Sequence, residues 1–502
     1  MAALPVVVLP VVVLPPAAQP PAAAVFFSVK KRSLSKTVFF SAFAGSIVAQ
    51  ILPFLAIGVL VVVSVLVAGI FGSDAFTTTE RLISAPELAP RNWAPAVRER
   101  LNGVLWDVAR DTLDRRPGAD SAKYPTLSKE IASVANKARA GSTGAAKKFI
   151  PDYAVFDWDN TSVFLDVEEA TFAHMLETVA FKMTPPQLDA ALRTGVNTAA
   201  EFKPEFRNAA GKTLNAGVLI ADIVRDYAAL RAAGSGSGEP RFQSDPRLRA
   251  VHRAFRAKFR FLYEALDGSF GAKVSYPWLT YIFVGMTPDE VRATAAAAVR
   301  WQLAQPIETV VWETPAECAG DAGVVRVSWK NGLRLVPEMQ DLYFLLGRSG
   351  IETWVCTASL ADVVRGVACD PAFGYSIPAE RVVGMELQTG GGGRFLPLQP
   401  DGFVDTQGVG KTAAIKRLIA PKYGEREPLL VAGDSDGDAS MLSSFPFTRV
   451  SLIIDRGKPA DSPIGELAAI ARKELGSSHA DGFIARYLLQ PRDESTGLFK
   501  KK

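Results

Sequence analysis

The sequence predicts an α/β protein: a Rossmann-like parallel sheet carrying a large, mainly helical insertion. Three short apolar runs, 153–156, 353–356 and 429–432, carry that prediction, because each passes into small or acidic residues and not into a hairpin turn. Strands that leave through polar loops toward helices belong to parallel sheets, whose ligands sit at the carboxyl edge. The long interval between the first two runs is mostly helix-like.

Length and composition set the bounds. At roughly 100–200 residues per domain, 502 residues allow about two to four domains, enough to bury a core without a disulfide or metal staple. A net charge of +4 gives no electrostatic case for nucleic acid as a partner. Three cysteines (Cys318, Cys356, Cys369) exclude a disulfide scaffold and a cysteine-rich zinc module, and their odd number leaves a thiol free or paired between chains. Three histidines (His174, His252, His479) argue against a multi-histidine metal site.

Residues 1–37 read as a low-complexity and basic tail. No charge precedes residue 29, Leu-Pro-Val-Val-Val begins at Leu4 and again at Leu9, and prolines at 5, 10, 15, 16, 20 and 21 forbid a regular helix. Were translation to begin at Val29, the chain would open with Lys30, Lys31, Arg32 and Lys36. Residues 38–73 contain no Asp, Glu, Lys or Arg; the densest part, 51–71, has the length of about 20 residues that a bilayer-crossing helix needs. The expectation is a transmembrane helix or a long cleaved signal. The upstream charges would hold the N-terminus in the cytoplasm and place everything after residue 73 outside, in the periplasm or beyond. Cleavage would make the protein secreted. Residues 74–150 form a helical extension, with Val97, Leu101, Val104, Leu105 and Val108 at helical spacing, and the Gly-Ser-Thr-Gly at 141–144 breaks the chain before the first strand. The core is expected at 151–166 and 350–490, the insertion at 167–349 and a short tail at 491–502. Inside the insertion, Thr287 and Glu290 make a capping box, with Pro288 at the first helical position, opening an Ala-rich helix to Leu303. Gly-Ser-Gly-Ser-Gly at 234–238 is a flexible loop.

The chemistry lies at the strand ends. The first reads Asp157-Trp158-Asp159-Asn160-Thr161. Two carboxylates two residues apart, beyond a buried strand, can enter one pocket if the backbone turns; an Asx turn is the plainer alternative. A carboxylate nucleophile and a neighbouring acid that protonates a leaving oxygen suit an acyl-phosphate mechanism. The third strand end carries Asp434, Asp436 and Asp438, which would repel one another without a hard cation such as magnesium. An EF-hand is excluded, since Ala439 stands where its glycine belongs and Phe445 where its glutamate belongs. Gly408-Val-Gly-Lys411-Thr412 resembles the end of a Walker A loop, but Asp405 replaces the required glycine. Lys411 instead starts an amphipathic helix with Ala414, Ile415, Leu418 and Ile419 on one face. A lysine in a first turn opposes the helix dipole, which makes sense if it meets a phosphate. After the second strand, Thr357 offers a hydroxyl for a phosphoryl oxygen, with Ser359 as the alternative and a helix N-cap as the plainer role.

In this order the residues resemble the four-motif signature of the haloacid dehalogenase (HAD) superfamily over residues 150–490, and Asp159 points to its phosphatase branch. The resemblance implies that Asp157 attacks phosphorus, Asp159 acts as acid and then base, and Thr357 and Lys411 hold phosphoryl oxygens. It further implies Mg2+ held by Asp157, the Asp159 carbonyl and Asp434, with Asp438 as a further ligand or as a group behind the ligands, and a cap made by the insertion that closes over the site. The runs Asp159-Asn-Thr-Ser162 and Asp166-Val-Glu-Glu169, Gly347 and Gly350, and the tail 488–494 are similar to phosphoserine-phosphatase-type enzymes, above all to bacterial phosphorylcholine phosphatases. That resemblance implies a small phosphorylated metabolite as partner, with Glu168 and Glu169 facing a quaternary ammonium; the residues alone equally describe a capped helix start, Asp166 capping and Glu169 completing a capping box. Tyr276 and Trp278 are candidates for a cation–π cage or for the core. Another small phosphate such as phosphoserine, or a tethered scaffold without activity, are the rival readings.

Overall fold

The computed structural model describes residues 86–115, 150–234, 243–477 and 484–502. The tail, the uncharged run 38–73, the break at 141–144 and most of the loop at 234–238 lie outside the described residues. Among the described residues no helix is long and apolar enough to cross a membrane.

In chain order the strands are β1 (Asp152–Phe156), β2 (Val163–Phe164), β3 (Glu308–Glu313), β4 (Arg326–Asn331), β5 (Arg334–Leu335), β6 (Ile351–Leu360), β7 (Val382–Met385), β8 (Leu430–Gly433), β9 (Val450–Asp455) and β10 (Tyr487–Pro491). Six of them pair in parallel in the spatial order β10-β9-β8-β1-β6-β7. From β1 the chain builds outward through β6 and β7, then crosses back to β8 and runs out through β9 and β10. The order reverses at β1, and the crevice beyond the carboxyl ends of β1, β6 and β8 is where such a sheet binds ligands. Ala154, Val155, Phe156, Leu430, Val431 and Ala432 are all buried, as strands covered on both faces require.

Two core elements depart from the expected outlines. The second strand runs Ile351–Leu360 and its pairing with β7 slips between Cys356 and Leu360. Such a slip bends a strand and re-aims its side chains. Thr357 and Ser359 therefore lie within β6, and the next helix, Ala361–Ala368, takes Leu360 as its N-cap. The helix carrying Lys411 is α-helical over Val409–Ala414 and π-helical over Ile415–Ile419. The wider π turn rotates the later residues, leaving Ala414, Ile415 and Ile419 buried but Leu418 38% exposed.

Between β1 and β6 the chain is mainly helical: Val167–Thr178, Pro185–Arg193, Ala216–Gly234, Pro246–Phe270, Ala272–Thr280 and Pro288–Leu303, the last opened by the expected Thr287–Glu290 capping box. An antiparallel β3–β4 hairpin interrupts the helices. Its second strand alternates buried Val327, Trp329 and Asn331 with exposed Arg326, Ser328 and Lys330, the period-two signature of a half-buried strand.

The helix Pro95–Arg115 buries all five apolar positions read from the sequence. Arg100 donates to the carbonyls of Ala485 and Arg449, Arg449 pairs with Asp107 at 2.6 Å, and the Ala94 N–H donates to the Gln490 side chain on β10. The helix thus belongs to the same folded body as the β10 edge. Leu101→Ala should cost about 2–5 kcal/mol in chemical denaturation. Trp106→Ala, at a position 46% exposed on the same helix, should stay within about 0.5 kcal/mol.

Candidate active site

Asp157 extends the β1 ladder by one step, its N–H donating to the Ala432 carbonyl at 2.9 Å. The chain then turns sharply. The N–H groups of Thr161, Ser162 and Val163 all point at the Trp158 carbonyl, and Asn160 takes a left-handed φ of 59°, a conformation asparagine tolerates better than most residues. Its side-chain oxygen accepts the Leu165 N–H at 3.1 Å. The turn swings Asp159 back over the strand end. One Asp159 carboxylate oxygen accepts the Val167 N–H at 2.7 Å; the other accepts the Ser359 hydroxyl at 2.7 Å, with the Thr357 hydroxyl at 3.4 Å.

Lys411 reaches the same point from its helix. Its Nζ lies 2.5 Å from Asp157 Oδ1 and 2.6 Å from Asp438 Oδ1. The other Asp438 oxygen accepts the N–H groups of Asp434 and Ser435 and the Ser435 hydroxyl. Asp438 can come this close because residue 433 is glycine: a Cβ there would lie 2.4 Å from the Asp438 Cβ. The Thr161 hydroxyl sits 3.1 Å from Asp157 Oδ2 and 3.0 Å from Asp434 Oδ1. Carboxylate oxygens of Asp157, Asp434 and Asp438 all lie within 4.8 Å of one another. The structure therefore brings together Asp157, Asp159, Thr357, Lys411, Asp434 and Asp438.

Burial governs the electrostatics. Burial, then the charges of Asp438 and Asp434, hold the Asp157 carboxyl well above its ordinary range in spite of Lys411; burial and Asp438 raise Asp434 likewise. Burial alone would discharge Lys411, but Asp157 and Asp438 outweigh it and hold its pKa above the usual lysine value. Asp159 is pushed up to about 7, first by burial and then by the Asp157 charge. Three carboxyls, Asp157, Asp434 and Asp438, face two contacting cations, Lys411 and Arg456, so full ionisation would leave negative charge in excess, which is what raises Asp157 and Asp434. The Thr161 hydroxyl has one proton for two carboxylates. Both observations fit a hard cation between Asp157 and Asp434, held by oxygen ligands alone.

Sequence reasoning misses Thr161, Arg456 and the bond from Ser359 to Asp159. Arg456, whose Nη1 lies 2.8 Å from Asp434 Oδ2, follows the buried strand β9 just as Asp157 follows β1, so the strand-end pattern contains it. Glu168 and Glu169 part company. Asp166 caps their helix, accepting both of their N–H groups at 2.8 Å. Glu168 is 3% exposed and accepts the Leu360 N–H at 3.2 Å. Glu169 does not close a capping box: Arg260 draws its carboxylate away at 2.5 Å, with the Tyr263 hydroxyl at 3.3 Å. Burial first, then the charges of Asp166, Glu169 and Asp267, push the Tyr276 phenol above its ordinary range in spite of Lys411. Trp278 is buried with its indole N–H on the Leu192 carbonyl. Cys356 is buried in β6, and burial pushes its thiol up to about 12, which leaves it inert.

No family model matches the chain. A phosphorylcholine phosphatase from Pseudomonas aeruginosa is 30% identical over 192 residues, covering 34% of this chain and 51% of that protein. The chain thus spans about half the length of the curated relative it matches. A crystal structure of a conserved, functionally unknown protein from Anaerococcus prevotii is 26% identical with a TM-score of 0.67, covering 83% of this chain and 97% of that one. A phosphoserine phosphohydrolase-like protein from Francisella tularensis is 12% identical with a TM-score of 0.24, covering 60% of this chain and 87% of that one, too distant to carry an argument. A parallel sheet reversing at β1, with two aspartates on the turn beyond that strand and a buried lysine–aspartate cluster beside them, defines a Rossmann-like core with an acidic site at its carboxyl edge. This arrangement is the one that the resemblance to the haloacid dehalogenase superfamily leads one to expect.

A carboxyl that stays protonated in the fold but ionises in the unfolded chain makes the folded state bind more protons, so stability falls as pH rises. For Asp159 that window runs from the unfolded value of about 4 to about 7, and Asp157 and Asp434 shift in the same direction. Without divalent cations the melting temperature should fall between pH 5 and pH 8. Added Mg2+ should raise it more at pH 8 than at pH 5, as thermal scans at both pH values will show.

Proposed function

We propose that the protein is a magnesium-dependent phosphomonoesterase working through an aspartyl-phosphate on a small organic phosphate, with phosphorylcholine the first candidate. One observation carries the reading: two carboxyls of a single turn meet different partners, Asp157 the ammonium of Lys411 and Asp159, raised to about 7, the hydroxyls of β6. The ammonium favours the ionised, nucleophilic form of Asp157, and a value of about 7 lets Asp159 give and take a proton near neutrality.

The Asp157 carboxylate attacks phosphorus, forming a carboxylate–phosphorus bond as the bond to the leaving oxygen breaks. Asp159 gives its proton to that oxygen. A water then loses a proton to Asp159 and attacks phosphorus, which frees Asp157 and releases phosphate. Lys411 offsets charge on the phosphoryl oxygens. Thr357 Oγ1 accepts the Ser359 N–H at 3.0 Å; its own proton, on a long 3.4 Å contact to Asp159, can turn to a phosphoryl oxygen, whereas the Ser359 hydroxyl donates to Asp159 at 2.7 Å. Magnesium, held by Asp157, the Asp159 carbonyl and Asp434, would supply further neutralisation of the transferring group. Asp438, with its oxygens on Lys411 and the Asp434 N–H, orients both.

In this reading residues 151–166 and 350–490 form the hydrolase core and 167–349 the cap, and the run 38–73 anchors or exports the protein so that the site lies outside the cytoplasm. Glu169, whose carboxylate Arg260 holds, and Tyr276 are the insertion residues we assign to a cationic leaving group. The name of the Pseudomonas relative supports that choice.

The test is a panel of phosphomonoesters assayed with Mg2+. Phosphorylcholine should rank above phosphoserine; the reverse order would overturn the substrate choice, and no turnover of any ester would overturn the activity. Asp157→Asn should lose about 10^4-fold or more in kcat. Asp159→Asn should lose about 10^2–10^4-fold on alkyl phosphates, and far less on p-nitrophenyl phosphate, whose leaving group needs no proton.

A further inference from the structure

The residues that follow β10 take no part in the chemistry above, yet two arginines tie them to it. Arg492, buried beyond the strand end, donates from both terminal nitrogens to Asn160, one to its carbonyl and one to its side-chain oxygen, the latter at 3.2 Å. Asn160 is the left-handed residue between Asp159 and Thr161. The Arg492 Nε is held by Glu494 Oε1 at 2.8 Å. The other Glu494 oxygen, Oε2, lies 3.4 Å from Nε of Arg456, whose Nη1 grips Asp434. One carboxylate therefore holds two guanidinium groups, one on the turn between the two active-site aspartates and one on the third-strand aspartate. Lys330, from the β3–β4 hairpin of the insertion, donates to the Glu494 carbonyl and sits 4.0 Å from Oε2. Gly497 lets the segment close onto β2: a Cβ there would lie 2.7 Å from the Phe164 ring.

We infer that Glu494 is a positioning residue: through Arg492 and Arg456 it sets the turn carrying Asp157 and Asp159 and the rotamer of Asp434 that leaves Oδ1 facing the cation position. The inference rests on the proposed magnesium site. Guanidinium is suited to the task because its planar fork fixes direction as well as charge; Arg456 uses Nε on Glu494 and Nη1 on Asp434, a span an ammonium does not reproduce. Partners that orient metal ligands typically change metal affinity or activity about 10–100-fold when removed.

The test compares Glu494→Gln, Arg456→Lys and Arg492→Lys with the wild type and with Lys500→Ala, a control in the same segment whose ammonium stands 3.9 Å from Asp493. Two readouts are taken: the Mg2+ concentration giving half of the maximal rise in melting temperature, and kcat and KM on p-nitrophenyl phosphate. Glu494→Gln and Arg456→Lys should raise the half-saturating Mg2+ by about 10-fold or more and lower kcat about 10–100-fold, with KM changed less than about 3-fold. Arg492→Lys should lower kcat with a smaller effect on Mg2+, since it acts on the turn. Lys500→Ala should leave both readouts unchanged. A lower melting temperature without Mg2+, combined with an unchanged half-saturating Mg2+ and unchanged kcat, would show a purely structural strap and overturn the inference. A wild type that responds to Mg2+ but hydrolyses nothing would instead refute the proposed activity, and the Mg2+ readout would still decide the role of Glu494.

Discussion

The ammonium of Lys411, buried between Asp157 and Asp438, is the contact on which the rest of the arrangement depends. Three carboxylates crowded at one sheet edge repel strongly in a medium of low polarity, and a lysine taken out of water would ordinarily lose its proton. Each makes the other tenable. Asp438 adds to this by accepting two backbone N–H groups and a hydroxyl from its own loop, so its charge is spread over neutral donors as well as the ammonium. That leaves Asp157 and Asp434 to share the single Thr161 proton. The centre of the cluster is thus built short of positive charge at one point and supplied everywhere else, an arrangement that neither a folded core nor an ordinary ion-pair network calls for.

Topology explains how residues so far apart in the chain meet. β1 lies between β6 and β8, and neighbouring strands are about 4.8 Å apart, so side chains at the three carboxyl ends fall within one shell. The reversal of strand order at β1 makes the two flanking loops diverge and opens the crevice. Thr357 and Ser359, two residues apart in β6 and so on one face of the strand, both present their hydroxyls to one Asp159 oxygen.

What can be read from the sequence follows from the range of the interaction involved. Asp157, Asp159 and Asp434 are legible because a short apolar run followed by clustered carboxylates is a local pattern that an ordinary strand end rarely shows, and Lys411 because its first-turn position conflicts with the helix dipole. Asp166 as a helix cap is equally local. Arg456 satisfies the same strand-end pattern, but a cation offers no ligand atom, and its meaning appears only once Asp434 and Glu494 stand on either side of it. Glu169 has the spacing of a capping-box residue; Arg260, far along the chain, outcompetes the backbone as a charged partner. Leu418 falls off its expected face because a π turn leaves no clear trace in spacing, and the β3–β4 hairpin is hidden inside a stretch whose overall character is helical.

The insertion and the core are not independent at the site. The helix Val167–Thr178 begins where its first N–H, that of Val167, donates to Asp159, and the next two residues, Glu168 and Glu169, face β6 and Arg260. Asp159, proposed for proton transfer, and Glu169, proposed for the leaving alcohol, are therefore both tied to one helix start. A shift of that helix alters the Asp159 hydrogen bond, and with it one of the contacts that hold its pKa down against burial and Asp157. In the proposed reaction, substrate selection and proton transfer would be coupled through the Val167 N–H: a leaving group that displaced the helix would also detune Asp159, so discrimination would fall on the chemical step as well as on binding.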